Sequence, residues 1–110
     1  MKTTDKSNYV LIENNIGSLT EFASVLTKKH ESFEDKNIIV DLKKYEQLEI
    51  EDLLGFLELS NIHREHKKSF VIVNSALHAD KIPDELIIAP TLQEAEDIIQ
   101  MEEIERDLGF

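Results

Sequence analysis

Histidine, serine and carboxylate are the side chains here that could carry chemistry: four histidines and 23 acidic residues stand among 110 positions. His63 and His66 are three apart in a stretch of helical pattern, so they share a face, with Glu65 between them in sequence. Two ligands fall short of the three or four that a zinc site uses, and no His-Glu-x-x-His motif occurs. Near a helix C-terminus a histidine reads instead as a solvated residue that interacts with the helix dipole. His30 closes another helical stretch, His78 stands in a loop, and neither has an evident partner in its local sequence. Ser60, Ser69 and Ser75 lie outside any Gly-x-Ser-x-Gly elbow, and no base is spaced to activate them. There is no cysteine, which excludes disulfides, thiol catalysis and Cys-ligated zinc and fits a reducing compartment. The reading is a protein without catalytic residues, metal or other cofactor.

The carboxylates gather in two places. The first is the loop after an apolar run ending at Asp41-Leu42, which carries Lys43, Lys44, Tyr45, Glu46 and Glu49 and then Glu51 and Asp52 in the first turn of a helix. The loop at the carboxyl end of a parallel strand is a favoured place for sites in open α/β sheets. These acids either complement the positive helix N-terminus in water or form a partner-binding rim around Tyr45, Glu46, Glu49, Glu51 and Asp52. The loop has no glycine, so neither a P-loop nor a dinucleotide fingerprint can be built there. The second place is the segment from Glu94 to Asp107, rich in acids with Arg106 as its base. It also holds an apolar set, Met101, Ile104, Leu108 and Phe110, that extends beyond what a small sheet needs. Either a long last helix wraps the domain with these residues, or they dock on a partner or a second copy of the chain.

The elements that position these residues follow from hydrophobic pattern. Asn37 to Leu42 and Ser69 to Asn74 are short, nearly unbroken β-branched and aromatic runs, as expected of strands covered on both faces. Between them Ile50, Leu53, Leu54 and Leu57 repeat at helical spacing, and a helix to about His66 makes the connection a β-α-β crossover. Gly55 inside it costs on the order of 1 kcal/mol against Ala and points to a close approach of another element. Upstream, Tyr9 to Ile12 is a strand with which Met1 to Asp5 can pair through the polar turn Lys6-Ser7-Asn8. Ser18-Leu19-Thr20-Glu21 is a capping box opening a helix from Leu19 to about His30, with Leu19, Phe22, Ala23, Val25 and Leu26 as its apolar stripe. Downstream, Ser75 to Pro83 reads as short helix or loop and Leu86 to Ala89 as a brief last strand. Thr91-Leu92-Gln93-Glu94 is a second capping box; the final helix turns Leu92, Ala95, Ile98, Ile99 and Met101 to the sheet and ends near Gly109. Phe22, Phe33, Phe56 and Phe70 are expected in the core, leaving Tyr9, Tyr45 and Phe110 as aromatic contacts.

The chain has room for one domain, residues 1–110, with 100–110 as a candidate helical extension. Its formal charge of −11 repels phosphate backbones and anionic headgroups, and the pairs Lys28-Lys29 and Lys67-Lys68 form no basic patch. Nucleic acid and membrane are therefore disfavoured as partners and a basic protein is the easier fit. Without an apolar leader or a run of about 18 apolar residues, a soluble, cytoplasmic protein is expected.

In strand order and pattern the chain resembles the STAS family, the sulfate-transporter and anti-sigma-factor-antagonist domain. The resemblance covers about Tyr9 to Ile99 and is clearest in Ile38-Ile39-Val40-Asp41-Leu42, Leu53 to Leu59, Phe70-Val71-Ile72-Val73-Asn74, and Thr91 to Ile99 with Ala95. It implies an α/β fold: a mixed, mostly parallel sheet of four to five strands with helices packed chiefly on one face. It also implies a regulatory module acting through protein–protein contacts, many such domains being phosphorylation-controlled switches in bacterial signalling. Where that subfamily carries an Asp-Ser pair at the start of a helix, this chain reads Glu49-Ile50-Glu51-Asp52, so no phosphoacceptor carries over. The ending from Pro90 to Phe110 is also similar to small Bacteroidetes-type proteins labelled ribonuclease Z, but the His-x-His-x-Asp-His cluster of that enzyme is absent. The expectation is a non-enzymatic interaction module. The alternatives are a small-ligand or nucleotide-binding domain using the Asp41–Glu49 loop, or an accessory protein beside a ribonuclease.

Overall fold

The computed structural model describes residues 1–15, 17–77 and 82–109. His78 and Phe110 lie outside the described residues. The chain runs β1 (Lys2–Asp5), β2 (Val10–Glu13), α1 (Leu19–Lys28), a 3-10 turn (His30–Ser32) and β3 (Ile38–Asp41). It continues through α2 (Ile50–Leu53), a second 3-10 turn (Leu54–Phe56), α3 (Leu57–Glu65), β4 (Phe70–Val73), β5 (Ile87–Ala89) and α4 (Leu92–Asp107).

The fold is α/β, built on a five-stranded sheet in the order β1-β2-β3-β4-β5. The edge strand β1 pairs antiparallel with β2 through the expected turn at Lys6-Ser7-Asn8, which Lys6 N closes onto Tyr9 O at 2.9 Å. Strands β2 to β5 are all parallel, with Val10 opposite Ile38, Ile38 opposite Phe70 and Val71 opposite Ile87. Parallel neighbours need crossovers, and covering both faces explains why β3 and β4 are buried at every position.

Alternation along the strands divides the core in two. Val10, Ile12, Ile38, Val40, Phe70 and Ile72 face α1 and the α2–α3 segment, whose Phe22, Leu26, Leu53, Phe56 and Leu59 complete one cluster. Leu11, Ile39, Val71 and Val73 face the other way and are covered by Ala95 and Ile99 of α4. The crossover helices thus share one face while, among the described residues, α4 closes the other. Both expected helix starts carry the hydroxyl half of the box: Glu21 N donates to Ser18 Oγ at 3.2 Å, and Glu94 N to Thr91 Oγ1 at 3.1 Å, whereas the reciprocal box forms at α2 between Glu49 and Asp52.

The stretch from Ile50 to Glu65 differs from the single helix expected. A 3-10 turn at Leu54–Phe56 winds more tightly than an α-helix and shifts the phase of the stripe. Phe56 and Leu59 are therefore buried while Leu54 is half exposed. Gly55 sits at this turn for the reason expected, an approach between helices: a Cβ there would lie 3.1 Å from Ala23 Cβ on α1. α1 itself ends two residues early, at Lys28, and His30 enters the following 3-10 turn. At the far end Gly109 takes φ +85° after α4, the left-handed conformation expected of it.

Candidate functional site

The carboxyl ends of β2, β3 and β4 bring Glu13, Asn14, Asp41 and Asn74 to one edge of the sheet. Asp41 is buried; its Oδ1 accepts from Lys43 N at 3.0 Å and its Oδ2 lies 3.3 Å from Lys43 Nζ. This is a local turn closed by a carboxylate, with Glu13 beside it in register. Asn74, also buried, is the hub of the edge. Its Nδ2 donates to Leu42 O at 2.9 Å and to Tyr45 O at 3.0 Å, and its Oδ1 accepts from Ala76 N at 2.8 Å. Asn14 Nδ2 donates to Tyr45 Oη at 2.7 Å, and Lys44 Nζ donates to Asn14 O at 2.6 Å. The loop that carries the acidic residues is therefore held at its start, from Leu42 to Tyr45, by asparagines that the hydrophobic pattern did not mark.

Glu46, Glu49 and Glu51 are exposed and line one open concavity of about 650 Å³ together with Ala76 and Leu77. Two other members of the proposed rim do different work. Tyr45 is half-buried with its ring packed on the core, so it supports the loop from beneath. Asp52 accepts from Glu49 N at 3.0 Å through Oδ2 and faces the groove beside Ala23 and Gly55. Glu46, Glu49, Glu51 and Asp52 are all exposed around the loop, and Tyr45 is half-buried beneath them.

The second candidate surface is α4. Its inner stripe is apolar at the start, with Ala95 and Ile99 fully packed, and polar toward the end. There Glu102 accepts from Ser69 Oγ at 2.5 Å and from Arg64 Nη1 at 3.2 Å, while Arg106 Nη2 donates to Ser69 Oγ at 3.3 Å. The outer stripe is the reverse. Met101, Ile104 and Leu108 are 60%, 58% and 68% exposed. Met101 was expected toward the sheet; it lies half a turn from Ile99 and points away from it.

Three further expectations change. Tyr9 is buried, and its hydroxyl donates to Glu96 Oε2 at 2.7 Å; burial and this carboxylate push its pKa up to about 12. His63 is fully buried instead of solvated, and His30 is buried against it. His30 Nε2 lies 2.8 Å from His63 Nδ1, and His63 Nε2 lies 2.6 Å from Lys36 O. Each histidine has a partner far away in sequence, which local spacing could not reveal. Desolvation lowers both pKa values, that of His63 to about 4. Among the described residues no three His, Asp or Glu side chains are grouped to hold a metal, and no helix is long and apolar enough to cross a membrane.

Neither protein-family models nor curated proteins give a match to this chain.

Proposed function

We propose that this chain is a non-enzymatic protein–protein interaction module of STAS-like type, cytoplasmic and constitutive rather than switched by phosphorylation at the α2 N-terminus. The observation that carries the reading is the outer stripe of α4: three large apolar side chains, each more than half exposed, on a face with no described element over it. Exposed apolar residues in a row on a surface helix are the usual mark of a docking face, whereas scattered ones need no explanation. The five-stranded, mostly parallel sheet is what the STAS resemblance implies, and it supports the assignment at the level of architecture. Fixed negative charge from Glu49, Glu51 and Asp52 occupies the place where that subfamily would carry its phosphoacceptor. Nucleotide binding ranks second, because the concavity at the strand ends is rimmed by Glu46, Glu49 and Glu51, which repel phosphate.

The test is capture from native lysate at about 150 mM salt, where exposed charges more than about 8 Å apart are screened. Wild type is compared with Glu49→Lys/Glu51→Lys and with Ile104→Lys/Leu108→Lys. A stoichiometric protein lost only with the second pair places the interface on α4; loss only with the first places it on the strand-end rim. Recovery of no protein by wild type, with a working control bait, overturns the reading.

A further inference from the structure

We infer that the outer face of α4 is a short coiled-coil seam whose occupant is a basic amphipathic helix of another protein, not a second copy of this chain. The inference rests on the interaction reading above and adds the chemistry of the partner.

The spacing of the exposed apolar residues is the first ground. From Met101 to Ile104 is three positions and from Ile104 to Leu108 four, the alternation that keeps side chains on one seam of a helix pair. Continuing the same alternation toward the N-terminus reaches Asp97 and then Glu94, both exposed. With Met101 as position a, Glu105 falls at e and Asp107 at g, flanking the apolar stripe, and both are exposed. Glu94 to Leu108 covers about 21 Å of helix, long enough for a partner helix of ordinary length to lie along it.

Charge decides the occupant. The seam and its flanks hold Glu94, Asp97, Glu105 and Asp107, and the base within this segment is turned inward, with Arg106 bonded to Ser69 Oγ at 3.3 Å. Two copies laid face to face would bring both sets of carboxylates together between bodies of formal charge −11 each. Like charges at e, g and seam positions are the feature by which helix pairs reject a partner. The face that complements this one carries apolar residues opposite Met101, Ile104 and Leu108 and Lys or Arg opposite the carboxylates. The half-buried bonding of Arg106 and Glu102 to Ser69 and Arg64 sharpens the point. It removes from the seam the cation that would have neutralised it and leaves the apolar residues outside.

The experiment uses the full chain and two designed helical peptides of about three heptads, both with Leu at every a and d position. One carries Lys at every e and g position and the other Glu. Fluorescence anisotropy is expected to show binding of the Lys peptide, weakening several-fold between about 50 and about 300 mM salt as screening grows, and no binding of the Glu peptide. Ile104→Lys/Leu108→Lys, at exposed positions that leave the fold intact, should weaken the Lys peptide by about tenfold or more, about 1.4 kcal/mol. Ser substitutions at the same two positions distinguish loss of apolar contact from added repulsion and should also weaken it. No binding of the Lys peptide overturns the inference, as does binding that survives both pairs of substitutions, which is non-specific attraction to an acidic protein. Equal binding of the Glu peptide overturns the assignment of a basic partner. Self-association of wild type in sedimentation, abolished by the same substitutions, overturns it in favour of a second copy. A non-basic protein captured from lysate through Ile104 and Leu108 overturns the partner chemistry while leaving the interaction module standing. Capture of nothing strikes the module itself.

Discussion

His30 Nε2 and His63 Nδ1 lie 2.8 Å apart in a buried hydrogen bond that joins the turn after α1 to α3. The chemistry of the third partner fixes the proton positions. The carbonyl of Lys36 can only accept, so His63 Nε2 carries the hydrogen there, and neutral His63 must accept from His30 through Nδ1. A proton added to His63 Nδ1 would face the His30 N–H, so the bond is kept only by a change of tautomer at His30. His66 and Arg64 add like charge nearby, while Glu34 and Glu31 near His30 oppose it only in part.

Stability should therefore fall with acid in a defined window. Unfolded His63 takes up its proton near 6.5, and the folded residue only near 4. Between these values the unfolded state binds more protons, so stability is fully present above about 6.5 and is lost as pH falls toward about 4. The loss from this residue is at most about 3 kcal/mol. His30, whose pKa is also lowered, acts in the same direction. Urea unfolding across this range measures it, and His63→Gln is the control. Its amide can donate to Lys36 O and accept from His30 without titrating, so the slope should flatten. An unchanged slope would assign the acid sensitivity to other groups.

Asn74 gives a second prediction, because one buried amide holds Leu42 O, Tyr45 O and Ala76 N at once. Asn74→Asp removes both donors and sets a carboxylate against two carbonyl oxygens. It should cost about 3 kcal/mol or more, against about 2 kcal/mol for Asn74→Ala. The loop freed by either change carries Lys43 and Lys44, so tryptic cleavage there should quicken. Cleavage at the wild-type rate would mean that Asn14 and the core contacts of Tyr45 hold the loop without Asn74.

What was legible in the sequence was what is local. The runs at Ile38–Asp41 and Phe70–Val73 declare strands buried on both faces, and Ser18 and Thr91 with a Glu three residues on declare helix starts. The parallel pairing of β3 with β4 followed from the helical pattern between those runs, and the mixed, mostly parallel sheet was what the STAS resemblance implied. What stayed hidden depends on contacts across the chain. His63 resembles any polar residue near a helix end until β4 and the turn after α1 close over it. Tyr9 resembles a surface aromatic until Glu96 arrives from α4, and Leu54 belongs to the stripe until the 3-10 turn shifts it out. Of the candidate surfaces, the acidic rim could be located from its place after a strand, but not which of its carboxylates reach solvent together.

The contact between Gly55 and Ala23 yields a third prediction. A Cβ at position 55 would stand 3.1 Å from Ala23 Cβ, so a branched side chain must push α1 away or distort the 3-10 turn. Gly55→Val is expected to destabilise by about 1–2 kcal/mol through overpacking. Ala23→Gly should restore part of that loss, giving a favourable coupling above about 0.5 kcal/mol in a double-mutant cycle. Strict additivity would show that the helices relax apart freely and that Gly55 has no packing role.

The two faces of α4 make opposite predictions for stability. Ile99 is 1% exposed and Ile104 58% exposed on the same helix. Ile99→Ala removes packed methylenes beneath the sheet and should cost about 2–4 kcal/mol. Ile104→Ser, like Met101→Ser and Leu108→Ser, removes side chains that touch mostly water and should change stability by no more than about 0.5 kcal/mol. Thermal unfolding of the isolated protein separates these cases. If the outer residues folded back to wrap the domain, as a long terminal helix would allow, Ile104→Ser would cost nearly as much as Ile99→Ala. A near-zero cost for the three outer substitutions, with full cost for the inner one, would mean that these apolar side chains do nothing for the folded monomer. Their contribution would then have to come from a partner.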